Sequence, residues 1–282
     1  MEPPRSLPAP LDGVRLRDAI DLMAWPCFAL TKGPRHVPII HEHRGDFMRV
    51  SSLPGARGLA TIWDADILTW AVSQLAEARD RRLHVSPALL TSGFQVLRFL
   101  GRGTGRSQYA LLTAALERLA GTHVETSIGA ALSAPARFHW IERWEHGNAG
   151  LIIVVPDWLL ATVTERRRVL RVPPAYLRLT GAIERWLWRL LCRHAHGIST
   201  SWKIPLATLH ARSGSLARAT DFVVELRKIA RRNVLPGYTL SIVWRDGEEC
   251  LHAVRSAESF HSAAAVPGDR PAFYPQNRGV RL

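Results

Sequence analysis

The sequence predicts an α+β fold in which one arrangement, helices followed by a small antiparallel sheet, occurs twice. Three observations carry this. Apolar positions repeat at helical spacing in two separate blocks, the period drops to two after each block, and Pro173-Pro174 interrupts the chain between them. In the first block Thr61 and Asp64 are capping groups for a helix through about Asp80, with Leu68, Ala71, Val72 and Leu75 facing a core. Ser86-Pro87 reads as the start of a second helix that carries Leu90, Phe94 and Leu97 and stops at Gly101. The turn Gly101-Arg102-Gly103-Thr104-Gly105 leads to a third helix, Ser107 to Ala120, with Leu112, Ala115, Leu116 and Leu119 on its apolar face. Thr122 to Ile128, Arg137 to Trp144 and Leu151 to Val155 follow as strands.

In the second block Ile183, Trp186, Leu187, Leu190 and Leu191 make one stripe of a helix ending near Gly197, with Glu184, Arg185 and Arg189 on its other face. Trp202 to Ile204 reads as a strand, Pro205 to Ala211 as a short helix and Ser213-Gly214-Ser215 as a turn. The helix from Leu216 to Arg232 turns Phe222, Val223, Leu226, Ile229 and Ala230 inward, and Ala217, Thr220, Asp221, Val224, Lys228 and Arg231 outward. Pro236-Gly237 breaks it. Tyr238 to Trp244 and Glu249 to Val254 then flank Arg245-Asp246-Gly247-Glu248, an Asp-Gly hairpin signal. Three helices followed by a small sheet is the order of a winged helix, whose third helix enters the DNA major groove while its hairpin touches the backbone beside it. The fold class predicted is thus α+β, two tandem winged-helix domains at 59–172 and 173–255. An N-terminal extension at 1–58 is expected to pack partly on the first domain, with its proline-rich start mobile, and 256–282 to form a flexible tail.

Composition narrows the partner. A formal charge of +13 argues for a polyanion, while 47% hydrophobic residues and ten Trp exclude disorder as the main state. The longest aliphatic run, Leu151 to Val155, is far short of the roughly 20 residues of a membrane span, so no membrane partner is expected. Pro3, Pro4, Pro8 and Pro10 stand where an export signal needs a basic start and an apolar block, which points to the bacterial cytoplasm. Cys27, Cys192 and Cys250 have no metal or disulfide spacing and read as buried thiols.

The candidate DNA-binding residues lie at the two third helices. From Arg212 to Arg232 six cations (Arg212, Arg218, Arg227, Lys228, Arg231, Arg232) face two acids, Asp221 and Glu225. Such cations neutralise phosphates, Ser213, Ser215 and Thr220 can donate to the backbone near the helix start, and Arg218 and Lys228 have the reach for a guanine edge. The plainer alternative is a solvated basic helix whose terminal cations complement its dipole. In the first domain Arg102, Arg106, Ser107 and Thr113 occupy the matching places, but Ala110 and Ala114 leave little side chain to read bases, so backbone contact and dimer packing both fit there.

Other chemistries find less support. Gly101 to Gly105 lacks the Gly-Lys-Ser/Thr of a phosphate loop. His41-Glu42-His43 and His194-Ala195-His196 invite comparison with rolling-circle nickases, with Tyr109 as nucleophile. The first pair has Glu where an apolar residue belongs, however, and the second falls at a helix end, where His194 and His196 read as cations on the helix dipole. Asp64 and Asp66 project to different helix faces and read as capping groups, and Trp63, Trp70, Trp186 and Trp188 read as core. No catalytic residue, metal or cofactor is expected.

Several runs are distinctive: Gly58-Leu-Ala-Thr-Ile-Trp-Asp-Ala-Asp66, Phe99-Leu-Gly-Arg-Gly-Thr104, Tyr176-Leu-Arg-Leu-Thr-Gly181 with Glu184-Arg-Trp-Leu187, Leu209-His-Ala-Arg-Ser-Gly-Ser-Leu216 and Leu235-Pro-Gly-Tyr-Thr-Leu-Ser-Ile242. Through them, in order over about residues 25 to 255, the chain resembles the plasmid replication initiator protein A family. The resemblance implies two winged-helix domains, recognition of repeated double-stranded origin DNA, help in melting it, and recruitment of host replication proteins such as a helicase or initiator. It implies no catalysis, and it adds a homodimer that represses the initiator's own gene. A transcriptional regulator of the same fold is the alternative within binding proteins. Leu216 to Asp221 departs from the pattern usual in relatives, which bears on the DNA sequence read and not on whether DNA is bound.

Overall fold

The structure, a computed structural model, describes residues 7–23, 25–43, 45–128, 134–195 and 200–256. The first half runs β1 (Leu7–Pro8), β2 (Arg17–Ala19), β3 (Ile39–His43), β4 (Asp46–Ser52), α1 (Ala65–Asp80), β5 (Ala88–Thr91), α2 (Gly93–Phe99), α3 (Arg106–Ala120), β6 (Thr122–Thr126), β7 (Ala136–His139), β8 (Arg143–Gly147), β9 (Gly150–Val154), α4 (Asp157–Thr164) and β10 (Val169–Arg171). The second runs α5 (Ala182–Ala195), β11 (Ser201–Pro205), α6 (Leu206–Ser213), α7 (Ala219–Arg232), β12 (Tyr238–Arg245) and β13 (Glu248–Arg255). Buried apolar side chains form two clusters. One is drawn from Ala9 to Val163, the other from Met23 and the stretch Val172 to Ala253.

Strand pairing departs from the expected single sheet in the first half. The strands after α3 divide between two four-stranded sheets: β6 and β7 join β3 and β4 in the order β3-β4-β6-β7, while β8 and β9 pair with β5 and β1 in the order β1-β5-β9-β8. The hairpin of residues 39–52 is therefore part of a sheet, with Val50 opposite both Ile39 and Val124. Ala88 to Thr91, expected in the second helix, is strand β5, because Ala88 to Thr91 pair with Val154 to Leu151. The helix starts only at Gly93, where the extended Ser92 accepts the Gln95 amide at 3.2 Å. A short apolar run such as Ala88-Leu89-Leu90 fits either structure; the partner strand decides it. The second half follows the expected order, its three strands arranged β11-β13-β12. The hairpin turns on Asp246 and Gly247 at φ 52° and 79°, the left-handed pair that matches strand twist. Helix α7 begins three residues later than expected, since Leu216 and Ala217 belong to the turn before it.

Helix α1 is buried on almost every side. One stripe of it is polar and contacts other parts of the chain in turn. Asp66 meets Arg102 and Arg185, Thr69 donates to Asp18 at 2.9 Å, Ser73 accepts the Arg17 amide at 2.8 Å, and Glu77 and Asp80 accept from the Arg17 guanidinium at 3.0 and 2.6 Å. The other face of α5, which carries Glu184, Arg185 and Arg189, is buried, with Arg185 against Asp66 of α1 and Arg189 against Asp18 of β2. Arg185 donates to Asp66 Oδ1 at 2.7 Å and to the carbonyls of Leu179 and Leu177 at 2.7 and 2.9 Å. Arg189 Nη2 lies 2.7 Å from Asp18 Oδ2, and its Nη1 donates to the Tyr176 hydroxyl at 3.2 Å. Burial pushes the Asp18 carboxyl above its ordinary value although Arg189 pulls it down. Burial also opposes the Arg189 charge, yet Asp18 and Tyr176 raise that guanidinium above the usual arginine value.

Contrary to the sequence expectation, neither Asp64 nor Asp66 caps α1: Asp64 holds the N-cap position without a side-chain capping bond, and Asp66 meets Arg102 and Arg185. Asp64 does accept the Thr61 amide at 2.8 Å, but its two oxygens also receive Arg118 Nε and Nη2, each at 2.7 Å. The three cysteines are buried free thiols, and burial pushes Cys27 and Cys192 up to about 12.

Removing Asp66 leaves the Arg185 charge buried without its carboxylate. Asp66→Ala is expected to lower stability by about 3–5 kcal/mol in urea unfolding followed by circular dichroism. A loss of under about 1 kcal/mol would mean that water reaches Arg185 in the folded protein.

Candidate nucleic-acid interface

Helix α7 is the amphipathic element that defines the site. Phe222, Leu226, Ile229 and Ala230 are buried, while Arg218, Thr220, Asp221, Val224, Lys228 and Arg231 are exposed along the opposite side. The spacing 220/221, 224, 228, 231 keeps these helical positions on one face over three turns, and Arg218 precedes them as the N-cap residue. Asn233 ends the helix at φ 50°, and its Oδ1 accepts the Leu240 amide at 2.8 Å, which ties the helix to β12. Val223, expected inward, is half-buried.

The turn before α7 is held from three directions. Gly214 has φ +64°, and a Cβ there would sit 2.9 Å from the Pro26 side chain, so glycine is required both by backbone and by space. Its carbonyl accepts Arg35 Nη1 at 2.5 Å, and the same buried guanidinium donates to Val37 and Pro38. The N-terminal segment thereby fixes where α7 starts. Ser213 is fully buried, donating to the His210 carbonyl at 2.7 Å and accepting the Ser215 amide at 3.0 Å; Ser215 Oγ accepts the Ala217 amide at 3.2 Å. The Ser213 hydroxyl, expected at the phosphate backbone, is thereby spent on the turn, while Ser215, half-buried, only accepts there.

The cations also separate by environment. Arg218 and Arg231 are exposed and have no ion pair among the described residues. Lys228 stays 58% exposed beside Glu225 at 3.5 Å, a solvated contact of little strength. Arg227 pairs with Glu249 of β13, and Arg232 reaches Glu184 at 2.9 Å and Glu225 at 3.3 Å. Arg212 is half-buried on α6, where burial holds its guanidinium below the ordinary arginine value. It is near enough to His41 and His194 to add to the effect of burial in lowering both. His194, read from sequence as a helix-end cation, is held down to about 3 by burial and by the charges of Arg212 and Arg193, so it is neutral in the fold. His196 lies outside the described residues.

The matching surface of the first half is poorer in charge. Arg106, Ser107 and Thr113 are exposed on α3, together with Tyr109, Ala110 and Leu111. Arg102, grouped with them by sequence, donates to Asp66 at 2.6 Å and to the Trp63 carbonyl at 3.0 Å, so it braces α1. Among the described residues no group of three His, Cys, Asp or Glu side chains could hold a metal ion, and no helix is long and apolar enough to cross a membrane. Trp70, Trp186 and Trp188 are core, and Trp63 is half-buried. Sequence periodicity counts Trp244 with the inward residues of its strand, yet it is 73% exposed; its place next to the hairpin turn was the available signal.

The sequence profile of the family described as Replication initiator protein A matches residues 17–240. The chain belongs to the replication initiator protein A family. A relative from Wigglesworthia glossinidia brevipalpis, named as a replication protein, is 27% identical over 235 residues, covering 79% of this chain and 84% of its own. In fold, this member of the family is similar to two crystal structures of domains 2 and 3 of RctB. One has a TM-score of 0.61 at 13% identity, covering 84% of this chain and 98% of that one. The other has a TM-score of 0.53 at 14% identity, covering 84% and 96%.

A His194 value of about 3 against roughly 6.5 in the unfolded chain has a definite sign. The stability it supports is fully present above pH 6.5 and is lost as pH falls from there toward 3. In His194→Gln the acid limb of stability against pH is expected to flatten by up to about one proton, ~1.4 kcal/mol per pH unit. Equal slopes in urea titrations across this range would mean that His194 charges as easily in the fold as out of it.

Proposed function

We propose that this protein is a sequence-specific, non-catalytic DNA-binding replication initiator of a bacterial plasmid or similar replicon, acting in the cytoplasm on double-stranded origin DNA. In this reading the units 59–172 and 173–255 are winged helices, the second reading bases through α7. The observation that carries it is the outer face of α7, where Arg218, Thr220, Val224, Lys228 and Arg231 stand exposed on a helix locked from behind by the core and by the clasp on Gly214. A helix of this width fits the major groove; Arg218 and Lys228 can bond guanine edges, Val224 suits a thymine methyl, and Arg231 suits phosphate. Arg227 and Arg232 are secondary, since each must exchange a carboxylate for a phosphate. Arg106, Ser107 and Thr113 supply a weaker backbone contact from α3. Ser215, half-buried with its O–H uncommitted among the described residues, keeps a backbone contact, and Ser213, Arg212 and Arg102 are left out because each is committed inside the fold. Host replication proteins and a second copy of the chain complete the proposed set of partners.

The test is a gel-shift titration on DNA flanking the protein's own gene against a scrambled duplex, at two salt concentrations. The expected outcome is at least about 10³-fold preference for the flanking DNA. Arg218→Ala and Lys228→Ala should each weaken the specific complex by about 1–3 kcal/mol and leave binding to the scrambled duplex nearly unchanged. Equal, steeply salt-dependent affinity for both duplexes would reduce the interaction to nonspecific attraction. A plasmid carrying only the target region, replicating when the protein is supplied, separates an initiator from a transcriptional regulator.

A further inference from the structure

Strand β12 presents Tyr238, Leu240, Ile242 and Trp244 on one face, and their burial falls along the strand. Tyr238 and Leu240 are buried under α7, Ile242 is half-buried, and Trp244 is 73% exposed. It is the most exposed large apolar side chain among the described residues. The hairpin simply outruns the helix that covers its base. Trp244 is opposite Glu249, whose carboxylate is engaged by Arg227 of α7, so the indole stands on the same face of the hairpin as the helix. A groove of about 450 Å³ runs between α7 and the hairpin, lined by Arg227, Ala230 and Arg231 on one side and Leu240, Ser241, Ile242 and Glu249 on the other, so that among the described residues Arg231 is its unpaired cation and Arg227 is neutralised by Glu249. Arg245 follows Trp244 with its side chain 56% exposed; its contact with Asp246 at 3.2 Å is between two exposed groups and is easily exchanged for a phosphate.

Exposed cations beside a flat, uncovered aromatic ring are the pattern that binds single-stranded nucleic acid, with the cations following the backbone and the ring stacking on a base. An intact duplex offers no base face to such a ring, because its bases are stacked on each other. We propose that the hairpin of the second half is a single-strand capture site, in which Trp244 stacks on an unpaired base while Arg231 and, on releasing Glu249, Arg227 hold the adjoining phosphates, and Arg245, on the other face of the strand, meets the backbone where it wraps the hairpin tip. This rests on the reading above that α7 and its hairpin meet DNA, and adds to it a preference for strand-separated DNA next to the duplex that α7 reads.

The experiment uses the full chain and its variants Trp244→Ala and Trp244→Phe, with a fluorescein-labelled oligo(dT) and the duplex from the gel-shift titration, both followed by anisotropy. For Trp244→Ala the affinity for oligo(dT) should fall about tenfold or more, the order expected for one lost base–aromatic stack. Its duplex affinity should change less than about twofold, and its thermal midpoint should match the parent. Trp244→Phe should keep most of the oligo(dT) affinity. Parental oligo(dT) affinity in Trp244→Ala, or a parent that does not bind oligo(dT), overturns the proposal. So do equal losses on oligo(dT) and duplex, which make Trp244 an ordinary duplex contact, and a lowered thermal midpoint, which makes it a packed residue. Duplex discrimination by the parent is read separately, so failure of the capture site and failure of the origin reading are told apart.

Discussion

The polar seam between α1 and α5 is the constraint on which the rest of the structure depends. Asp18 and Asp66 on one side and Arg185 and Arg189 on the other are almost wholly buried. Charges removed from water at this depth are tolerated only if each meets its partner in good geometry, because an unpaired one costs several kcal/mol. That condition leaves little freedom in how the two halves meet. Sliding α5 by one turn against α1 and the adjoining β2 would separate Arg185 from Asp66 and Arg189 from Asp18 at once. An apolar seam of similar area would bind as well but would tolerate several registers, since hydrophobic contact has no direction.

Consequences of the seam reach the candidate interface. Helix α5 packs beneath α7 through Trp186 and Phe222, and Glu184 at the start of α5 receives Arg232 from the end of α7 at 2.9 Å. At the opposite end of α7 the Arg35 guanidinium holds the Gly214 carbonyl. Helix α7 is thus fixed at both ends by residues far from it in sequence. A helix pinned in this way is ordered before any partner arrives, so in the proposed DNA-reading role less ordering entropy would oppose binding.

The two halves share their element order but differ in what they present. On α7 the cations face outward or pair weakly at the rim. On and around α3, Arg102 and Arg118 are turned back to Asp66 and Asp64 of α1, leaving Arg106 as the exposed cation of that helix and Tyr109, Ala110 and Leu111 beside it. The same ladder of α1 carboxylates that organises the core therefore also removes charge from the first half's surface.

By itself the sequence determined the local structure wherever apolar spacing, caps and breakers agree. Helices α1, α3 and α5, the core face of α7, and the Asp246-Gly247 hairpin are all legible in this way, because each rests on residues within a few turns of one another. The family is legible too, through its runs of matching residues. Only the tertiary structure decided the fate of the polar residues. Asp66, Arg185 and Arg189 sit at positions that a solvated helix face would also fill, and no local rule separates a charge that faces water from one that faces an opposite charge. Ser213 looks like a backbone donor until Gly214 closes the turn onto Pro26. Ala88 to Thr91 becomes a strand only because β9, more than fifty positions away, offers its edge. Trp244 alternates like a core residue, and it is the length of the covering helix that leaves it bare. In each case the deciding partner is distant in the chain, so the information lies in the sequence as a whole and in none of its segments.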